Sequence, residues 1–216
     1  WDASQPELSA LNLGETLGLS TKEQDRLDKA AQWVEGSGVE GLVLGLDHMA
    51  TRVLMGDREH ALLEFLTLSP HYFWGAYNIA DQNSSTNVTR NPKVTDDKVS
   101  PAKVFTANNV PSYLNSVDER PMPTEDFVRN YGRRMHHMAI EVKDGDDGKG
   151  EKNVDRVVKL LADHGQKFLA HVVGECKDTP NLKQVFSKHS PYSLLITEYV
   201  ERCHNFKGFF TKGLAP

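Results

Sequence analysis

LDHMATRV (Leu46–Val53) and MHHMAIEV (Met135–Val142) can be laid over one another so that His-Met-Ala falls at a single register. Each stretch reads as a β-strand. By the two-residue period of a strand, His48, Ala50 and Arg52 share one face of the first, and His137, Ala139 and Glu141 share one face of the second. A lone strand histidine is more often a structural residue than a ligand. Two of them at equivalent places in one chain point to a common role.

Working outward, the two strands are followed by the same order of elements. After the first, Asp57 caps a short helix that ends at Leu68, where Ser69-Pro70 stops it. Tyr72–Ile79, Lys103–Ala107 and Ser112–Val117 read as strands. Asp81–Ser100 reads as a long polar loop, of a length that usually marks a functional or mobile segment. Thr124–Tyr131 reads as a connecting helix. After the second strand, Asn153 caps a helix ended by Gly165, and Lys167–Val173, Leu182–Ser187 and Leu194–Glu201 read as strands. Each half is thus strand, helix, strand, strand, strand, an internal repeat. The expected fold is α+β, with paired βαβββ modules at 41–120 and 121–216 whose sheets form a shared cup. An N-terminal helical arm, 1–40, precedes them. In it the capping box at Ser20 and Glu23 opens an amphipathic helix of about four turns.

The chain has 216 residues with 38% hydrophobic and 25% charged content, enough to bury a core without staples. A net charge of −5 gives no reason to expect nucleic acid or an anionic membrane surface as a partner. No apolar run approaches the ~20 residues of a membrane span. Two cysteines, Cys176 and Cys203, allow one disulfide, but the simpler reading is a reduced, cytoplasmic protein. The first residue is Trp1 rather than Met, which points to an upstream segment that was removed or not included.

The third group that matters lies in LLITEYVER (Leu194–Arg202). Leu194, Ile196, Glu198 and Val200 share a strand face, so Glu198 stands among aliphatics. A carboxylate there is costly to bury unless it is paired or bound to a metal. Two neutral imidazoles and one carboxylate make the facial triad typical of non-haem Fe(II), with open positions for substrate and oxygen. The alternative is that Glu198 pairs with Arg52 or Arg202 while the histidines merely pack. His136 is expected to point away from His137 by strand alternation. Asp144–Gly148 has the acidic flavour of a calcium loop without its glutamate, and reads as a solvated turn.

The repeated modules resemble the vicinal oxygen chelate superfamily, and within it the catalytic half of the 4-hydroxyphenylpyruvate dioxygenase family. The resemblance covers Asp47 to Phe210. It rests on Asp47-His48, on YGRRMHHMAIEV (Tyr131–Val142), on KQVFSK (Lys183–Lys188), and on TEYVER followed by Gly208-Phe209. It implies that His48, His137 and Glu198 bind Fe(II) or another divalent metal. Gln184 would act on the substrate near the metal, Phe186 would share its strand face, and Phe209 would line the pocket rim. The implied function is a non-haem Fe(II)-dependent dioxygenase acting on an aromatic or α-keto acid, with O2 as co-substrate and a homodimer as a compatible assembly. The alternatives are a non-enzymatic small-molecule binding protein and a glyoxalase-like isomerase or lyase. The last would prefer a further ligand on the final strand of the first half. The chain departs from the family in its short leading arm and in a shorter Leu169–Lys183 segment.

Overall fold

A computed structural model describes residues 18–79, 83–93, 101–110, 123–177 and 180–209. The chain divides into two compact units, residues 1–41 and 42–216. In the first, helix α1 (Thr21–Ser37) is opened by the expected capping box. Ser20 Oγ accepts from the Glu23 N–H, and the Glu23 carboxylate accepts from the Ser20 N–H at 2.9 Å. Gly38 closes it at φ 72°, a left-handed conformation that glycine adopts without steric cost.

The second unit contains β1 (Val43–Arg52), α2 (Arg58–Leu68), β2 (Tyr72–Ile79), β3 (Ser84–Arg90) and β4 (Ala102–Asn108). It continues with α3 (Pro123–Tyr131), β5 (Arg134–Val142), α4 (Asn153–Asp163), β6 (Asn181–Phe186) and β7 (Ile196–Cys203). The seven strands form one sheet in the order β2-β3-β4-β1-β5-β7-β6. The two repeats meet at its centre, where β1 and β5 pair antiparallel. Each then pairs in parallel with the last strand of its own half, β4 or β7. No described helix is long and apolar enough to cross a membrane.

Two expectations change, and a third is untested. The long loop contains a strand, β3, whose sequence SSTNVTR carries few apolar residues yet lies buried between β2 and β4. Its hydroxyls and amides are sheltered by pairing on both sides, so polarity misled the reading. Ser112–Val117 lies outside the described residues. In the second half, Lys167–Val173 is not a continuous strand. It touches the β6 edge only through the isolated bridges Phe168–Ser187 and Val173–Gln184.

Three side-chain expectations also change. Asp57 stands at the start of α2 but makes no side-chain capping bond. Asn153 is the first residue of α4 rather than its cap, and it makes no capping bond to the helix start. The buried Glu201 carboxylate instead accepts the N–H groups of Gly145 and Val154, at 3.1 and 2.7 Å. The two cysteines are joined as a disulfide, Cα–Cα 5.6 Å, across the ordinary bridging distance. The expectation of free thiols is overturned because the 170s segment returns beside the end of β7. Asp146 and Asp147 do make a turn, accepting from nearby backbone N–H groups.

Candidate metal centre

In the β1–β5 pairing, Met49 lies opposite Met138, His48 opposite Ala139, and Ala50 opposite His137. The register is symmetric about the Met pair, so both histidines emerge on one face. Glu198 enters from β7, opposite Ala139. His48 Nε2 lies 3.3 Å from Glu198 Oε2 and 3.3 Å from His137 Nε2, and His137 Nε2 lies 3.2 Å from Glu198 Oε2. Three donors each about 2.1 Å from one ion stand about 3.0 Å apart at octahedral angles and about 3.4 Å apart at tetrahedral ones. The observed triangle falls between these values. Glu198 is 2% exposed and His48 6%.

The predicted ligand set is therefore brought together. Neither alternative partner takes Glu198. Arg202 is engaged with Asp47, and Arg52 donates to the Pro123 carbonyl at 2.9 Å. Glu198 is left facing two imidazoles, an arrangement that a divalent cation satisfies.

Each histidine is oriented from behind by the residue that precedes it. Two bulges explain how. Along β1 the step from Leu46 to His48 matches a single step on β5, leaving Asp47 extra. Along β5 the step from Met135 to His137 matches a single step on β1, leaving His136 extra. The bulges cancel the alternation that should have turned both residues away. Asp47 Oδ1 lies 2.7 Å from His48 Nδ1, and His136 Nδ1 lies 2.7 Å from His137 Nδ1. With these Nδ1 atoms engaged, both Nε2 lone pairs can face the centre. The expectation that His136 points away fails for this reason. Asp47, left without a role by the sequence reading, is the second missed residue. Its signal was its alignment with His136, one place before each histidine.

Asp47 is 1% exposed and takes both Arg202 Nε (2.6 Å) and Nη2 (2.9 Å). Burial opposes its ionisation, but Arg202 and His48 outweigh this and hold its carboxyl far below the usual range. Burial likewise opposes protonation of His48, yet the Glu198 charge and Asp47 raise it to about 9. Burial, with the neighbouring imidazoles and Arg52, pushes His137 well below its ordinary value. Burial and Arg52 take His136 down to about 3. The remaining Arg202 N–H groups donate to the carbonyls of Phe206 and Gly208. This holds Phe209 edge-on to His48, with ring centroids 5.1 Å apart.

The triad opens onto a cavity of about 270 Å³. Gln184, Phe186 and Phe209 all line it, with Ala50, Val104, Leu182 and Val200 as apolar wall. Phe186 packs edge-on against His137 at 5.1 Å. The half-repeat also locates the counterpart of Glu198. Glu198 lies opposite the residue two past His137, and the residue opposite the position two past His48 is Val104. β4, the last described strand of the first half, offers no ligand there. A second cluster, Asp144, Glu201 and Cys203, is already spent on backbone N–H groups and the disulfide.

No family model matches the sequence, and no curated protein matches it. Solved structures do. A triple mutant of 4-hydroxymandelate synthase from Streptomyces coelicolor matches with a TM-score of 0.57 at 18% identity, over 81% of this chain and 52% of the synthase. The chain thus spans about half of that protein. Methylmalonyl-CoA epimerase from Mycobacterium tuberculosis matches with a TM-score of 0.51 at 15% identity, over 75% of this chain and 90% of the epimerase. A second methylmalonyl-CoA epimerase gives 0.50 at 18%, over 74% and 97%. At these identities the likeness shows the fold alone, the vicinal oxygen chelate fold.

Proposed function

We propose that this chain is a metal-dependent dioxygenase that holds non-haem Fe(II) on His48, His137 and Glu198 and oxidises an aromatic or α-keto acid. One observation carries the reading. Two imidazoles and one carboxylate converge in a buried triangle, while the position equivalent to Glu198 in the other half is Val104. Three protein ligands on one face are the donor set of Fe(II) oxygenases. When bound, the ion supplies Lewis acidity and open coordination positions at which an oxygen-donor substrate and dioxygen can meet.

The chain's own residues do the rest. Asp47 and His136 hold the ligand rings in place, so little reorganisation accompanies binding. Ala50, Val104, Val200, Phe186 and Phe209 give an apolar wall against which a ring packs and from which water is excluded. Gln184, 5% exposed and lining the same cavity, presents an amide to a polar group of the substrate.

The epimerase neighbours make metal-assisted proton transfer the competing reading. Among the described residues Val104 weakens it, since the glyoxalase-like isomerase or lyase would prefer a further ligand from the first half. Protein purified without chelators should contain a divalent metal in stoichiometric amount. After anaerobic loading with Fe(II), it should consume oxygen with one or more aromatic 2-oxo acids. Deuterium exchange from solvent at the carbon beside the carbonyl, without oxygen uptake, would instead favour the epimerase class. A wild type that never holds metal stoichiometrically would leave the binding-protein reading.

A further inference from the structure

The face of the sheet that carries the triad continues in two more rows of side chains. Ala50, Val104 and Val88 stand abreast on β1, β4 and β3, and beyond them Arg52, Thr106 and Thr86 stand abreast in the same way. Successive rows on one face lie roughly 7 Å apart. His137 belongs to the Ala50 row and His48 to the row before it. The sheet thus passes from donors through an apolar strip to a polar strip. Arg52, Thr86, Thr106 and Thr124 all line the cavity.

The charge inventory of that cavity is unbalanced. Glu198 is its one lining carboxylate among the described residues, and it belongs to the triad. Arg202 is neutralised by Asp47 in a two-point pair. For Arg52, no carboxylate lies within ion-pair distance among the described residues. It spends one N–H on the Pro123 carbonyl and rests 5.4 Å over the Phe127 ring. A guanidinium has five N–H donors, so among the described residues most of the fork is available. The acid whose charge acts on it, Asp126, forms no ion pair with it; it is exposed and accepts from Asn130.

Thr124 adds an independent observation. It is 4% exposed, lines the cavity and makes no side-chain hydrogen bond among the described residues. It also stands in the first turn of α3, whose positive end favours an anion; of the two acids in that turn, Glu125 is taken up by Asn108 and Arg129 and Asp126 is exposed.

We propose that Arg52, the Thr124 hydroxyl and the N-terminus of α3 form a second subsite that takes a carboxylate at the far end of the substrate. The substrate class becomes a 2-oxo acid with a second anionic group, joined by an apolar segment that crosses the Ala50–Val104 strip. The first anchor rests on the metal-centre reading above. The second stands on Arg52 and Thr124.

Calorimetric titration of the protein loaded with zinc, a redox-inert ion, tests this. The ligands are 2-oxo diacids of five to seven carbons, each compared with the 2-oxo monoacid of equal length. At least one diacid should bind tenfold or more tighter than its monoacid. Arg52→Met should erase that preference while zinc content and monoacid affinity stay unchanged. Arg52→Lys keeps the charge without the fork, and Thr124→Val removes the hydroxyl; each should reduce the preference at least threefold, even if Arg52→Met fails to fold. A wild type that binds zinc stoichiometrically but shows no diacid preference overturns the subsite alone. So does a preference that survives all three substitutions, in which case Arg52 merely pins α3 to the sheet. Failure to bind zinc overturns the metal centre and this subsite with it.

Discussion

Asp47 and His136 occupy equivalent places in the two halves. Each is the extra residue of a β-bulge, each immediately precedes a histidine of the triad, and each places a polar atom 2.7 Å from that histidine's Nδ1. The equivalence is geometric and not chemical. Asp47 is an anion tied to Arg202, whereas burial keeps His136 neutral.

That difference predicts two separable phenotypes. Either Asp47→Asn or His136→Gln should weaken metal binding about 10–100-fold, the usual loss when a ligand's supporting partner changes. Only Asp47→Asn leaves the buried Arg202 charge without its counter-ion, which should cost about 3–5 kcal/mol of stability. Chemical denaturation of both metal-free variants checks this. Equal destabilisation would show that Asp47 does not balance Arg202.

Glu198→Ala should lower metal retention by more than the roughly 10–100-fold of a supporting residue, because a donor itself is lost. The near-ultraviolet spectrum should remain that of the wild type. Elemental analysis after dialysis reads the first quantity. A variant that still holds one metal per chain would remove Glu198 from the ligand set.

Gln184→Leu keeps side-chain volume and removes the amide that lines the cavity. Its expected effect is a rise in KM of about tenfold, equivalent to roughly 1.4 kcal/mol for a lost hydrogen bond to substrate. Metal content should be unchanged. If metal content fell along with activity, the residue would be structural.

Lys103 lies on the opposite face of β4, donating to Thr51 Oγ1 and standing 5.1 Å from the Phe105 ring centre. Burial, without a carboxylate in ion-pair range among the described residues, takes its ammonium down from 10.5 to about 8. Between those values the unfolded chain binds the additional proton, so this residue's contribution makes stability rise with pH from about 8 to 10.5. Below about 8 the desolvation cost is fully present. Lys103→Met should therefore stabilise the protein at neutral pH, with the advantage shrinking as pH rises through that window. Denaturation midpoints of both proteins across the range decide the matter. A difference independent of pH would mean that the lysine is not desolvated in the native state.

Local patterning was enough for much of this architecture. The aligned His-Met-Ala strands, the helix from Arg58 to Leu68 and the aromatic strand from Tyr72 to Ile79 were all legible. Apolar periodicity and turn residues act over a few neighbours, and a sequence displays them directly. The convergence of His48, His137 and Glu198 was legible for a related reason. A repeat implies a symmetric pairing of its halves, and symmetric pairing puts equivalent faces together.

What only the tertiary structure decided depends on a partner strand. SSTNVTR carries few apolar residues of its own and becomes a buried strand because β2 and β4 satisfy its backbone on both sides. A bulge is a mismatch between two strands, so neither the Asp47 nor the His136 bulge is written in either strand alone. Arg202 could equally have paired with Glu198 by sequence. The fold placed its guanidinium against Asp47 and left Glu198 to the two imidazoles. The ionic partners of a buried charge are chosen by which strands stand side by side, and that is a property of the assembled sheet.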